Sequence, residues 1–426
     1  MAKSVGVPPA EFLMLKKTKK VAIFVGGEFI PSFSGAANRF HYLSQALHNC
    51  TETDMLVILC DRGWSDIKQI RKEKFKTYLV HPDLFRNVDF LEGILKAENV
   101  DILQFPVLEL IVELGIQLSY RLNRHLVFEA HYEDYEFAKA IGASQFTLSG
   151  ISYLQNTFGK YFDKVIALSN EDRKLSKNLR VSESEIAIIP SGANIAEFPE
   201  NCFDPLSRKI VFLGNLYFSV NLKALKLIKK IIYPCLKKQG FKFYIIGDIA
   251  SVEKEKLEEK NFIIKGKQAN LYRNFNRSTF GLAPVLSGSG MRIKILNYLN
   301  AGIPVITTSQ GAKGFQRKDL LIIEDDLREY PLIIEKLLKE KQLLKRLSIE
   351  GRKFIEENMS WEVIAKKVAR EYDVLLSQDV KPKEDIIDEV LRIKFGDPPW
   401  IKEVIEGKRF KRNKPYVGVG RYLKIN

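Results

Sequence analysis

Two successive series of short apolar segments, separated by helical patterns, limit the fold of this chain more than any other feature. The first series lies at 21–26, 54–60, 101–105, 125–130, 164–169 and 186–191, and the second at 209–214, 241–247, 261–266, 279–284, 303–308 and 319–324. The segments are aliphatic and β-branched without strict alternation, which is typical of parallel strands buried on both faces. The sequence therefore predicts an α/β protein with two consecutive doubly wound, Rossmann-like domains.

The domain limits follow from where this pattern stops. Two prolines and a lack of periodicity at 197–207 indicate a linker, and 360–376 has the spacing of one amphipathic helix. We predict an N-terminal extension at 1–18, a first domain at 19–200, a second domain at 208–358, a helix within 360–378 and a basic C-terminal extension at 379–426.

The charge of the chain predicts an anionic ligand or surface. Its 67 Lys and Arg residues exceed its 52 Asp and Glu residues, for a net charge of +15. Phosphate-bearing small molecules, acidic lipid headgroups and nucleic acid all fit that sign. The basic residues are scattered and no nucleic-acid motif is present, so we expect no nucleic-acid partner.

Cysteine spacing and hydropathy indicate a cytoplasmic protein. The four cysteines lie far apart without a C-x-x-C pair, which argues against a zinc site or a disulfide framework. The N-terminus lacks the apolar core of a signal peptide, and the longest uncharged run, 140–159, is too polar to cross a bilayer.

The end of the chain is strongly basic. Residues 408–426 contain seven Lys or Arg residues and no acidic residue. Such a run is usually a solvated tail. The alternative is an electrostatic contact with anionic lipid, which would place the protein peripherally on the inner face of the plasma membrane.

Three segments could carry chemistry, and the first is the loop at 26–40 after the first strand. Doubly wound sheets bind ligands at the carboxyl ends of their strands, and free amides at a helix start suit an anion or a hydroxyl-rich ligand. The candidate acceptor-binding residues are Gly26, Gly27, Ser34, Gly35 and Ala36. Glycines here could equally serve only a tight turn.

The second segment, 284–308, predicts a phosphate site. A helix that opens at Gly288-Ser289-Gly290 presents free amides, and Arg292 and Lys294 add formal charge to the helix dipole. Lys294 and Asn297 share one helix face. The alternative is that both cations are solvent-exposed charges.

The third segment, 128–136, places His131 at the end of a buried strand, where a sheet exposes residues to its cleft. A histidine there can form hydrogen bonds or exchange protons. The alternative is a structural histidine satisfied by the backbone.

With these segments placed, about 340 residues, from Lys19 to Leu376, resemble the GT-B glycosyltransferases of the retaining family 4. The resemblance rests on GGEFIPSFSGAANRFHYLSQAL, EAHYE, the 164–200 passage, KIVFLGNL, the GSG…AGIPVITT block and the helix after Ser360. It implies a GT-B fold, with a first domain that binds the acceptor, a second that binds a nucleotide sugar, and a C-terminal helix that crosses back onto the first.

The chain departs from that family at the donor site. Family members carry an Arg and a Lys after the first strand of the second domain, whereas GNLYFSVN here has Asn215 and no basic residue. The family's paired glutamates are also absent, with Ser287 and Asn297 at the nearest equivalents. Arg292 and Lys294 could supply the missing diphosphate charge, or donor handling could have been lost.

The resemblance implies transfer of a sugar, with retained anomeric configuration, from a nucleotide sugar, for which we expect a UDP- or GDP-sugar. The basic charge and tail favour a lipid-linked or glycan acceptor in cell-envelope polysaccharide or glycolipid assembly, and a soluble secondary metabolite is the alternative acceptor. The catalytic candidates are His131, as a hydrogen-bond partner of the donor sugar, with Arg292 and Lys294. The donor-binding candidates are Gly214, Asn215, Lys267, Leu271, Ser287, Gly288, Ser289, Gly290 and Asn297. We expect no cofactor and no metal. The alternative is a non-catalytic subunit that binds a nucleotide sugar or a partner enzyme.

Overall fold

Two separate parallel sheets organise the molecule. The structure is a computed structural model that describes residues 18–30, 34–131, 134–140, 142–286, 292–393 and 423–425. Each sheet has helices on its faces and is buried on both sides, as the apolar segments predict. The predicted arrangement of two Rossmann-like domains is confirmed.

The first sheet has the strand order β14-β3-β2-β1-β4-β5-β6-β7. Its parallel strands are β1 (Lys19–Val25), β2 (Thr53–Cys60), β3 (Lys76–Val80), β4 (Ile102–Phe105), β5 (His125–Ala130), β6 (Lys164–Ala167) and β7 (Ile186–Ile188). The chain end adds β14 (Leu423–Ile425), antiparallel to β3. Of these, β3 and β14 were absent from the sequence prediction.

Helices of the first domain connect these strands. They are α1 (Gly35–Cys50), α2 (Ile67–Ile70), α3 (Pro82–Phe85), α4 (Val88–Ala97), α5 (Leu108–Leu110), α6 (Ile116–Leu122), α7 (Asp134–Ala140), α8 (Gln145–Phe158) and α9 (Leu175–Leu179). A π-helical turn at Ile111–Gly115 joins α5 to α6.

The second sheet has the order β10-β9-β8-β11-β12-β13. Its strands, all predicted, are β8 (Lys209–Leu213), β9 (Lys242–Ile246), β10 (Phe262–Gly266), β11 (Phe280–Ala283), β12 (Val305–Thr307) and β13 (Leu321–Ile323). Its helices are α10 (Ser219–Leu227), α11 (Tyr233–Lys238), α12 (Ser251–Leu257), α13 (Leu271–Phe275), α14 (Ile293–Asn300), α15 (Tyr330–Lys339) and α16 (Lys341–Asn358).

The predicted C-terminal helix crosses back onto the first domain. This helix, α17 (Trp361–Leu376), begins at an N-cap where the Ser360 side chain accepts a hydrogen bond from the Val363 amide. It packs against α1, and its buried face joins the core of the first domain. The helix therefore belongs by packing to the first domain, although it follows the second domain in the chain.

The chain passes between the domains twice, at adjacent positions. The Ala193 amide donates to the Met359 carbonyl over 2.7 Å, and Ala193 forms a parallel bridge with Ser360. At Gly192 a Cβ would lie 2.6 Å from the Trp361 ring, so this crossing requires glycine.

Beyond α17, a segment ending in α18 (Ile387–Arg392) folds onto the amino end of the first sheet. Lys383 and Asp163, both almost fully buried, form an ion pair of 3.2 Å there. Asp163 also accepts hydrogen bonds from the Leu126 and Lys381 amides. The segment thus fixes the end of the crossover helix to β5 and β6.

Candidate functional site

Both sheets have a topological switch point, where the chain connections from two neighbouring strands run to opposite sides of the sheet. In the first sheet it lies between β1 and β4, and in the second between β8 and β11. Ligands of doubly wound folds bind at the carboxyl ends beside such a point. Gly26 follows β1 and Gly214 follows β8, so these predicted residues lie at the two expected positions.

Lys294 comes from α14 but reaches the loop after β8. Its Nζ donates to Asn221 Oδ1 over 2.9 Å and lies 4.8 Å from the centroid of the Phe212 ring. A Cβ added to Gly214 would be 3.2 Å from this nitrogen and 3.2 Å from Asn221 Cγ, so a larger residue there would crowd both side chains. The ammonium group of Lys294 thus lies beside the loop after β8, which has no basic residue of its own.

Both predicted cations are partly buried, which excludes the interpretation of them as fully solvent-exposed charges. Burial, with a smaller contribution from neighbouring Arg292, lowers the pKa of Lys294 to about 7. Burial also lowers the pKa of Arg292, which occupies the N-cap of α14. An anion bound near this helix start would offset the cost of burying both charges.

The two predicted asparagines differ in their contacts. Asn215 Oδ1 accepts from the Tyr217 amide over 3.0 Å, and its carbonyl accepts from Asn221 over 2.9 Å, so this side chain shapes its own turn. Asn297 is partly buried, one turn beyond Lys294 on α14. Asn221, which sequence reasoning missed, ties Asn215 to Lys294.

Of the remaining donor candidates, the structure describes only Lys267 and Leu271. Ser287, Gly288, Ser289 and Gly290 lie outside the described residues. Lys267 is exposed in the loop before α13. The Leu271 amide donates to Glu197 of the linker over 2.9 Å, so this amide is engaged by the protein itself.

The glycine loop of the first domain ends against the second domain. Ser34 caps α1 by accepting from the Ala37 amide over 3.1 Å, and a Cβ on Gly35 would lie 3.2 Å from Ile293 Cγ1 at the start of α14. The predicted acceptor loop and donor helix therefore meet across the cleft. Of the other acceptor candidates, Gly26, Gly27 and Ala36 are partly buried nearby.

His131 lies at the end of a buried polar network. Its Nε2 is 3.3 Å from Glu129 Oε1, and its ring packs on Phe40 with centroids 4.9 Å apart. Glu129 is fully buried and forms an ion pair with Arg39, which is also buried. Desolvation acts to raise the pKa of Glu129, but the Arg39 charge and the His131 contact outweigh it and hold that pKa at about 2. Glu129 is therefore ionised.

The network extends across the first domain to the crossover helix. Gln104 donates to Glu129 and accepts from the Tyr372 hydroxyl of α17, while Arg39 Nη1 donates to the Pro190 carbonyl over 2.8 Å. Sequence reasoning assigned none of these residues a role. A glutamate within the apolar strand HLVFEA is the one signal that could have indicated the network, because a charge in a doubly buried strand needs a partner.

The described part of the chain lacks two other features. It contains no cluster of three or more His, Cys, Asp or Glu side chains that could hold a metal ion. In the same residues, no helix combines the length and apolar character needed to cross a membrane.

The second domain matches a known family model. Residues 207–340 match the model for Glycosyl transferases group 1, which covers β8 to α15 and includes Lys294. The chain is also 22% identical to an uncharacterised 44.6 kDa protein in the cps region of Klebsiella pneumoniae, over 53% of this chain and 60% of that relative. The match thus spans about three fifths of the relative's length.

Solved structures extend the likeness to both domains. A glycosyltransferase from Rickettsia africae superposes with a TM-score of 0.66 at 16% identity, covering 85% of this chain and 99% of that one. Anabaena Alr3699/HepE, solved in complex with UDP, gives a TM-score of 0.61 at 14% identity over 84% and 100% of the two chains. The chain has the GT-B fold, which confirms the resemblance at that level, and its second domain has the glycosyltransferase group 1 pattern.

Proposed function

We propose that this chain is a retaining glycosyltransferase that moves a hexose from a UDP- or GDP-sugar to an acceptor in cell-envelope polysaccharide or glycolipid assembly. The family match of the second domain and the GT-B fold support sugar transfer. Alr3699/HepE has been solved with UDP and with UDP-glucose, which favours a nucleotide-sugar donor here. The cps-region relative favours an envelope role.

The observation that carries the proposal is the position of Lys294. Its ammonium group lies beside Gly214 at the carboxyl end of β8, where the resemblance places the diphosphate of the donor. Its hydrogen-bond partner there is the neutral amide of Asn221, and no carboxylate of the described residues forms an ion pair with it. We infer that Lys294 replaces the basic residues that this loop lacks.

The proposed chemistry follows from that placement. Breaking the bond at the anomeric carbon develops negative charge on the leaving diphosphate, and Lys294, Arg292 and the amides at the start of α14 would stabilise it. Because these cations supply the charge, we expect transfer without a metal ion. Asn297 would hydrogen-bond a ribose hydroxyl, and His131 the donor sugar.

The acceptor would approach from the first domain. The loop that ends at Ser34 and Gly35 faces Ile293 of α14, so an acceptor bound there would lie next to the donor. The basic stretch at 408–426, most of it outside the described residues, favours an acceptor at an anionic membrane surface.

The test is calorimetric binding of UDP, GDP and ADP, combined with a transfer assay using the corresponding nucleotide sugars. We expect one nucleotide to bind, and Arg292→Ala/Lys294→Ala to weaken it at least tenfold, or about 1.4 kcal/mol. The matched control is Lys223→Ala/Lys230→Ala, which removes two exposed charges from the same domain.

Each other outcome has a defined meaning. If Arg292→Ala/Lys294→Ala leaves nucleotide affinity unchanged, the diphosphate binds elsewhere. Binding without transfer to any envelope extract would favour the non-catalytic subunit, and no binding of any nucleotide would contradict the proposal.

A further inference from the structure

The buried carboxylate of Glu129 fixes the imidazole of His131. Glu129 Oε1 receives Arg39 and His131, and its Oε2 receives Gln104. An ionised carboxylate can only accept hydrogen bonds, so the His131 nitrogen that faces it must be the donor. The neutral ring then carries its proton on Nε2 and keeps a lone pair on Nδ1.

Helix α1 contributes to this arrangement twice. Arg39 supplies the cation that keeps Glu129 charged, and the next residue, Phe40, packs its ring on His131 at an interplanar angle of 30°. The imidazole is thus held by a hydrogen bond at one nitrogen and by an aromatic face. The Phe40 ring, and the Arg39 cation that pairs with Glu129, both come from the helix that follows the glycine loop of the first domain.

We propose that Glu129 is a positioning residue, which locks His131 as the Nε2–H tautomer and presents Nδ1 as a hydrogen-bond acceptor for a hydroxyl of the transferred sugar. The inference rests on the proposed function for its substrate. Its structural part depends only on the contacts within the first domain.

The lone pair on Nδ1 determines which ligand group can bind there. A sugar hydroxyl can donate to it, whereas a carbonyl or carboxylate oxygen cannot. Because the tautomer is set before the ligand arrives, the sugar does not have to select it from a mixture. This is the advantage that a fixed ring offers over a freely rotating histidine.

The direct test is nitrogen NMR of the full chain labelled with ¹⁵N-histidine, at about pH 8.5, where ordinary imidazoles are neutral. His131→Asn assigns the resonance among the five histidines. We expect one protonated and one unprotonated nitrogen for His131 in the unchanged chain. In Arg39→Met/Glu129→Gln, we expect both nitrogens to move toward averaged shifts.

The double variant is chosen because it removes both buried charges together. Either single change leaves an unpaired buried charge and could prevent folding. The matched control is Asp163→Asn/Lys383→Met, which removes a buried ion pair at the opposite end of the same sheet. We expect that control to leave the His131 resonances unchanged.

The kinetic test separates positioning from general destabilisation. With the donor identified by the transfer assay, we expect Arg39→Met/Glu129→Gln to lower kcat about 10- to 100-fold. Nucleotide affinity should change less than about twofold, because the nucleotide binds in the other domain. A fall in affinity equal to the fall in kcat would overturn the positioning role.

The spectroscopic outcomes are equally decisive. Averaged His131 shifts in the unchanged chain, or shifts that the double variant leaves unaltered, would overturn the proposal. A locked tautomer in a chain that neither binds nucleotide nor transfers sugar would support the role of Glu129 and overturn the proposed function instead.

Discussion

The two domains hold their buried cations in opposite ways. In the first domain Arg39 lies against the carboxylate of Glu129, and both residues are buried. In the second domain Lys294 lies against a neutral amide and an aromatic ring, with Arg292 as a like-charged neighbour. Among the residues that the structure describes, Arg39 is paired with a carboxylate, whereas Lys294 is paired only with a neutral amide.

The pKa values express the same difference. Arg39 helps to hold the pKa of Glu129 at about 2, so that pair stays charged at neutral pH. Burial instead lowers the pKa of Lys294 to about 7, so this side chain is partly deprotonated at neutral pH. A balanced pair fixes its neighbours, whereas an unbalanced cation at a helix start is suited to an anionic ligand.

The largest expected effect is on stability, from Arg39→Met alone. It leaves Glu129 as an unpaired buried charge, so we expect the free energy of unfolding to fall by about 3–5 kcal/mol at neutral pH. Urea denaturation measures this loss. Arg39→Met/Glu129→Gln should lose less than about 2 kcal/mol, since the orphaned charge is gone. Equal losses would mean that the two charges do not stabilise each other.

The second domain should behave in the opposite way. Lys294→Met removes a desolvated cation, so we expect no loss of stability at neutral pH. The unfolded chain keeps this lysine protonated up to about pH 10.5, whereas the folded chain keeps it protonated only to about 7. This group therefore adds stability as pH rises between those values. If urea denaturation shows that Lys294→Met substantially lowers the free energy of unfolding, the contrast between the two domains is wrong.

The next effect concerns the pH dependence of nucleotide binding. A diphosphate favours protonated Lys294, so binding above pH 7 must take up a proton and should weaken about tenfold between pH 7 and 9. Calorimetry in buffers of different ionisation enthalpy counts this proton. Lys294→Met should bind more weakly and abolish the proton uptake. Uptake that persists in the variant would assign it to another group.

The smallest effect is expected at the glycine loop. Ser34 caps α1, so Ser34→Ala should lower the free energy of unfolding by about 1 kcal/mol. Ser34→Asp keeps a capping oxygen and should retain most of that stability. If both variants fold normally but only Ser34→Ala loses transfer activity, the side chain contacts the acceptor as well as the helix.

The sequence was sufficient for the architecture because buried parallel strands have a local signature. Twelve strands of the two sheets lie on predicted segments, whereas β3 was missed because KTYLV is short and includes polar residues. The crossover helix was recognisable from its Ser360 cap and its apolar stripe.

The site was only partly predictable, because its contacts join distant parts of the chain. The sequence placed Lys294 at a helix start, and the structure shows it partly buried there, but its partner Asn221 lies 73 residues earlier. Arg39 and Glu129 are 90 residues apart, and no local pattern links them. Periodicity reports which face of an element is buried, whereas pairing across the sheet depends on the completed fold.

The paired crossings at Ala193 and Met359 have a mechanical consequence. Two covalent connections that run side by side, joined by a hydrogen bond of 2.7 Å, restrain the domains far more than one linker would. The domains can turn about this pair, but they cannot slide apart without breaking it. An opening of the cleft would therefore turn the domains about the region of these two crossings. Groups near the axis keep their distances, while displacement grows toward the far edge.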